Sequence, residues 1–149
     1  MDNMILELFF RFLATVCFAL LFNVPRSELV WCGLGGMISW LVVLLVGENM
    51  SVYFGIYVAA GFVTLFGRML AGVRKMPMTM YLVPGIIPLV PGGAVYLTMY
   101  EIISGEQASA LTIGISSLQT AGLLCLGIVT VLSLPQKLFM IHLRRKQLP

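Results

Sequence analysis

The sequence predicts an all-α integral membrane protein of five transmembrane helices, the fourth broken by a Pro/Gly segment, with the N-terminus outside and the C-terminus in the cytoplasm. Three observations predict it. Sixty per cent of the 149 residues are apolar and 10% are charged, against about 45–50% and about 25% in soluble domains. Five apolar runs fill the chain as a single membrane domain, 1–149, each near the 20 or so residues that a helix needs to cross hydrocarbon. Lys and Arg accumulate on alternate connections, as the positive-inside rule requires.

The first run, 4–24, follows Asp2 rather than a basic start and precedes no small-residue cleavage site, so it reads as a retained helix. Within it Glu7 and Arg11 stand four apart, acid before base, and are expected to pair on one face. An Arg at depth costs about 2.5–3.5 kcal/mol on insertion scales and usually faces protein. Both are candidate coupling or gating residues, with snorkelling to the outer interface as the alternative. The second run, 29–46, lies between Pro25 and Gly47, and Trp31 and Trp40 are expected to anchor it at the headgroups. The third, 51–71, opens with Tyr53 and Tyr57 and ends near Gly72 and Pro77; the fourth is 78–100 and the fifth 108–134. Small residues four apart, Gly35 with Ser39, Gly55 with Ala59 and Ser117 with Ala121, predict close helix approach.

Alternating the connections tests the count. Arg26, then Arg68, Arg74 and Lys75, then Lys137, Arg144, Arg145 and Lys146 all fall on one side. Asp2, Glu48, Glu101 and Glu106 fall on the other, so adding or losing one span would scramble the partition.

The fourth run carries the functional expectation. Pro84-Gly85-Ile86-Ile87-Pro88-Leu89-Val90-Pro91-Gly92-Gly93 places three prolines and three glycines inside it. In a regular helix each proline frees the carbonyl four residues earlier, here those of Met80, Pro84 and Ile87. Such a break must be covered by protein or line a polar cavity, as in transporters with discontinuous helices. The second half would start near Gly92 with free N–H groups suited to a carboxylate, while freed carbonyls upstream suit an ammonium; an amino acid zwitterion presents both. Gly92 and Gly93 permit close approach and Tyr96 adds a hydroxyl one turn on. The plain alternative is a buried kink without ligand. Glu101, which ends this span, is a further candidate gate or proton carrier, or a solvated loop acid.

Other chemistry is not expected. Cys17, Cys32 and Cys125 lack metal-ligand spacing and read as small apolar residues, and His142 is the one histidine. There is no HExxH, GxSxG or nucleotide-binding loop, so neither an enzyme, a cofactor, a metal nor a nucleic-acid partner is expected.

Phe22-Asn23-Val24-Pro25 followed by Trp31-Cys32, then Ile87-Pro88-Leu89-Val90-Pro91-Gly92 with Tyr96, then Leu132-Ser133-Leu134-Pro135 before a basic tail, resemble in order and spacing the small subunit of the threonine/serine exporter family. The resemblance runs nearly end to end. It implies the membrane half of a secondary exporter in a bacterial inner membrane, working with a larger five-span subunit to move threonine, serine or, in a related pair, succinate outward. It adds Asn23 to Pro84, Gly85, Pro88, Pro91, Gly92, Gly93 and Tyr96 as candidate substrate-site residues. A five-span unit with its N-terminus outside complements one whose N-terminus is cytoplasmic, which predicts a hetero-oligomer first and a homo-oligomer second. A scaffold subunit without transport of its own is the remaining reading.

Overall fold

The structure, a computed structural model, describes residues 2–135, and Lys137, His142, Arg144, Arg145 and Lys146 lie outside the described residues. Regular structure among them is helical throughout: α1 (Asp2–Leu21), α2 (Leu29–Asn49), α3 (Val52–Arg74), α4 (Thr79–Ile86), α5 (Gly92–Ser104) and α6 (Gln107–Leu132), with 3₁₀ turns at Arg26–Glu28 and Ile87–Leu89. Segments Met4–Leu21, Arg26–Glu48, Val52–Arg74 and Gln107–Leu132 are long and apolar enough to cross a bilayer. Thr79–Leu89 and Gly92–Ser104 pass that test only as a pair, bent by 49° at the break. Four spans result, or five when the bent pair counts as one.

Local chemistry sets the ends. α1 stops at Asn23, which adopts the left-handed conformation (φ 56°). Its N–H bonds the Leu20 carbonyl and the Val24 N–H bonds that of Ala19, both at 3.0 Å, which closes the last turn as a Schellman motif. Ser51 caps α3, its hydroxyl accepting from the Phe54 N–H at 3.2 Å. Lys75, also left-handed at φ 55°, ends α3 shortly before Pro77.

α2 is the hub, packing against α1, α3 and α4; α6 packs on α3, and α5 packs chiefly on α6. Glycine permits close approaches between helices. A Cβ on Gly36 would lie 2.1 Å from the Thr15 hydroxyl of α1, and one on Gly127 2.5 Å from the Tyr57 carbonyl of α3. The small-residue pairs behave as expected: Gly35 with Ser39 and Gly55 with Ala59 are buried, and Ser117 is buried beside the partly covered Ala121. Large apolar side chains cover the outside, with Leu21, Leu118 and Ile103 three-quarters exposed or more. Hydrocarbon is a solvent for such a surface, and water is not.

The charged connections gather at the two ends of the bundle. Arg74, at the end of α3, pairs with Glu28 at 3.4 Å, and Arg68 of α3 donates to the carbonyls of Val131 and Leu134 at the end of α6. Arg26, Arg68, Arg74 and Lys75 therefore share one end, while Glu48 near the end of α2, Glu101 near the end of α5 and Glu106 between α5 and α6 mark the other. Trp40 departs from expectation. It lies near the middle of α2, not at a headgroup boundary, because α2 runs on to Asn49.

Candidate substrate site at the broken helix

Pro84 lies inside α4, Pro88 inside the 3₁₀ turn and Pro91 at the cap of α5, so each proline falls where the backbone changes its mode of bonding. The three freed carbonyls all find donors. Met80 accepts from the Cys32 thiol at 3.4 Å, Pro84 from the Ile87 N–H, and Ile87 from the Val90 N–H at 3.2 Å. Two more carbonyls near the break meet side chains. The Ser39 hydroxyl lies 2.8 Å from the Gly36 carbonyl and 3.3 Å from that of Gly85, and Arg11 donates to the Pro88 carbonyl at 2.9 Å. Burial in hydrocarbon makes each unpaired group costly, and this accounting explains how six helix breakers are tolerated. It also engages the carbonyls that sequence reasoning had offered to an ammonium.

Arg11 is the central charge. Its Nη2 lies 3.5 Å from the Glu7 carboxylate, as the spacing predicts, and its guanidinium carbon lies 3.6 Å from the centre of the Trp40 ring. A guanidinium stacked this way keeps its plane and its remaining N–H donors directed. Thr15, one turn along α1, is fully buried and returns its hydroxyl to the Arg11 carbonyl at 2.8 Å. The Trp40 indole N–H is buried with no acceptor among the described residues, a donor left over in the layer where Arg11 meets the break.

The candidates divide into groups. Glu7, Arg11 and Pro88 come together. Pro84 and Gly85 are buried beneath them, where a Cβ on Gly85 would lie 2.6 Å from Val63. Gly92 and Gly93 are exposed, with nothing within 4 Å of an added Cβ, and Tyr96 is 69% exposed. The Gly93 and Ala94 N–H groups, at the start of α5, have no acceptor among the described residues. Asn23 stands apart from Arg11, twelve residues beyond it and just past the far end of α1. Its neighbours Phe22 and Val24 nevertheless line a groove of about 270 Å³ with Met80, Val83 and Pro84. Glu101 is partly covered near the end of α5, nine residues past the start of that helix at Gly92.

Sequence reasoning missed Glu28, Trp40 and Ser39. Glu28 is 3% exposed and accepts from the buried Tyr81 hydroxyl at 2.8 Å while pairing with Arg74. A signal existed: Glu28 is the acid that falls among the basic connections and breaks the charge partition. Trp40 and Ser39 gave none, because their partners are remote in sequence.

No curated protein and no solved structure matches the chain. A family model described as "Threonine/Serine exporter, ThrE" matches residues 7–134, and over that span the chain belongs to the threonine/serine exporter family.

Proposed function

We propose that the chain is the membrane subunit of a secondary exporter for small polar solutes, threonine or serine first and a dicarboxylate such as succinate second, acting with a larger five-span subunit in a bacterial inner membrane. The single observation that carries this reading is the family match over residues 7–134. The geometry of the break supports it. In this reading α4 and α5 cross the bilayer as one bent span, the N-terminus lies outside, and Arg26, Arg68, Arg74 and Lys75 lie in the cytoplasm.

The donors around the break suit a carboxylate. Arg11 gives one N–H to Pro88 and forms an ion pair with Glu7 at 3.5 Å, which leaves other N–H groups for a ligand, and the free N–H groups of Gly93 and Ala94 begin α5 a few residues on. Glu7, only partly covered, is free to trade Arg11 for an ammonium. One solute carboxylate competing for Arg11 would loosen its hold on Pro88, which couples binding to movement at the break. α5 packs chiefly on α6, and its outward face is available to the larger subunit.

Coexpression of the chain with its partner, followed by efflux of labelled threonine, serine and succinate, tests the proposal. Efflux of one of the three above that of cells lacking the chain is expected. Retention of all three by intact, energised cells would remove these substrates.

A further inference from the structure

Glu28 is the buried carboxylate that the substrate site leaves unused. Its side chain is 4% exposed, whereas that of Glu7 is 42% exposed and Glu48 and Glu106 are open to their surroundings. Burying an ionised carboxylate is costly unless it is paired and hydrogen-bonded. Here three elements share that task. Arg74 of α3 supplies the counter-charge at 3.4 Å, Tyr81 of α4 donates its hydroxyl at 2.8 Å, and Ser27 of the carboxylate's own turn stands 3.4 Å away. Cys32, one turn along α2, faces the same pocket, and Arg26 begins the turn that holds Glu28. α1 contributes Ala19, and the chain after it Val24, neither of them charged, to the apolar wall around Tyr81 and Cys32.

We infer that Glu28 is the proton-binding residue that couples the gradient to transport. The inference rests on the exporter reading above. Two features distinguish Glu28 from a static clamp. Its strongest hydrogen bond goes to α4, the half-helix that leads directly into the 49° break, so its charge state acts on the element best placed to move. Arg74 is 37% exposed and reaches toward the Trp31 ring at 5.2 Å, so the carboxylate has water within one side chain of it at the basic end of the bundle. Taking up one proton from that water forms one O–H bond, leaves Arg74 without its counter-ion and turns the charge-assisted bond from Tyr81 into a neutral one. Releasing the proton restores both. Buried acids that pair in this way mark proton relays in pumps and transporters.

The test uses inside-out membrane vesicles from cells expressing the full chain with its partner, supplied with labelled threonine, serine and succinate. Two modes are compared: accumulation driven by an imposed proton gradient, and exchange of labelled for unlabelled solute without a gradient. Glu28→Gln is expected to lower driven accumulation by about tenfold or more while exchange stays within about threefold of wild type, because only the driven mode must cycle a proton. Driven accumulation that survives in Glu28→Gln overturns the inference, and so does equal loss of both modes at normal abundance, which marks a structural clamp. If Glu28→Gln does not reach the membrane, Glu28→Asp and Tyr81→Phe decide. Each keeps a titratable carboxyl in altered surroundings and is expected to displace the pH dependence of driven transport; an unchanged pH dependence in both overturns the inference. Wild-type vesicles that show neither mode remove the exporter reading itself and the coupling residue with it.

Discussion

Arg11 and Pro88 are joined across 77 positions of sequence by a 2.9 Å hydrogen bond from guanidinium to carbonyl. The charge on α1 is thereby fastened to the break between α4 and α5, and Trp40 of α2 holds the guanidinium flat between them. A backbone carbonyl at the break between α4 and α5 has acquired a charged partner from another helix. Such bonds are worth about 1.5–3 kcal/mol, more than neutral ones.

Arg11→Lys keeps the charge and loses the planar fork and much of the stacking on Trp40. Efflux of the transported solute is expected to fall about tenfold or more while membrane abundance stays near wild type, a tenfold loss corresponding to about 1.4 kcal/mol. Labelled-solute efflux alongside an immunoblot checks it, and unchanged efflux detaches Arg11 from the solute path. Arg11→Ala also leaves the Pro88 carbonyl without its donor and Glu7 without its cation, so its abundance should drop as well.

Asn23 separates helix stopping from solute contact. Glycine takes φ 56° at no steric cost, so Asn23→Gly should leave both the melting temperature in detergent and efflux near wild type. Asn23→Ala should cost about 1–2 kcal/mol through the left-handed backbone, seen as a lower melting temperature. Loss of efflux in a stable Asn23→Gly protein would return the side chain to the candidate substrate site.

Gly127 and Gly93 should respond in opposite ways. Alanine at Gly127 forces a Cβ to within 2.5 Å of the Tyr57 carbonyl and should destabilise the α3–α6 contact by about 1–3 kcal/mol. Alanine at Gly93 meets nothing and sits inside a helix, where it should be neutral or stabilise by up to about 1 kcal/mol. Thermal unfolding of the two variants in the same detergent checks the contrast. A Gly93→Ala protein that melts normally yet exports poorly would place the solute against that backbone.

Cys32 matters for its donor. Cys32→Ser keeps a hydrogen for the Met80 carbonyl, whereas Cys32→Ala leaves that carbonyl unsatisfied inside the bundle. The alanine variant should be less stable than the serine variant by about 1–3 kcal/mol, read from the same melts. Equal stabilities would show that the thiol only fills space, as its sequence context suggests.

Features that depend on near neighbours and on composition are legible in the chain alone. Apolar run length marked the helices within a few residues, since a span needs a fixed rise, and prolines placed the break because the ring removes a donor wherever it sits. Four-residue spacing joined Glu7 to Arg11, because helix geometry puts the two on one face within reach of each other. Which side chains meet the backbone around the break is settled by packing between helices. Cys32 for Met80 and Arg11 for Pro88 are contacts between helices far apart in the chain, fixed by how α1, α2 and α4 rotate and pack. The same packing moved Trp40 from an expected anchor to a platform and sank Glu28 beneath Arg74 and Tyr81. Periodicity encodes which face of a helix is apolar, but the uniformly apolar α2 presents no such face, so its neighbours and not its pattern choose what each residue touches.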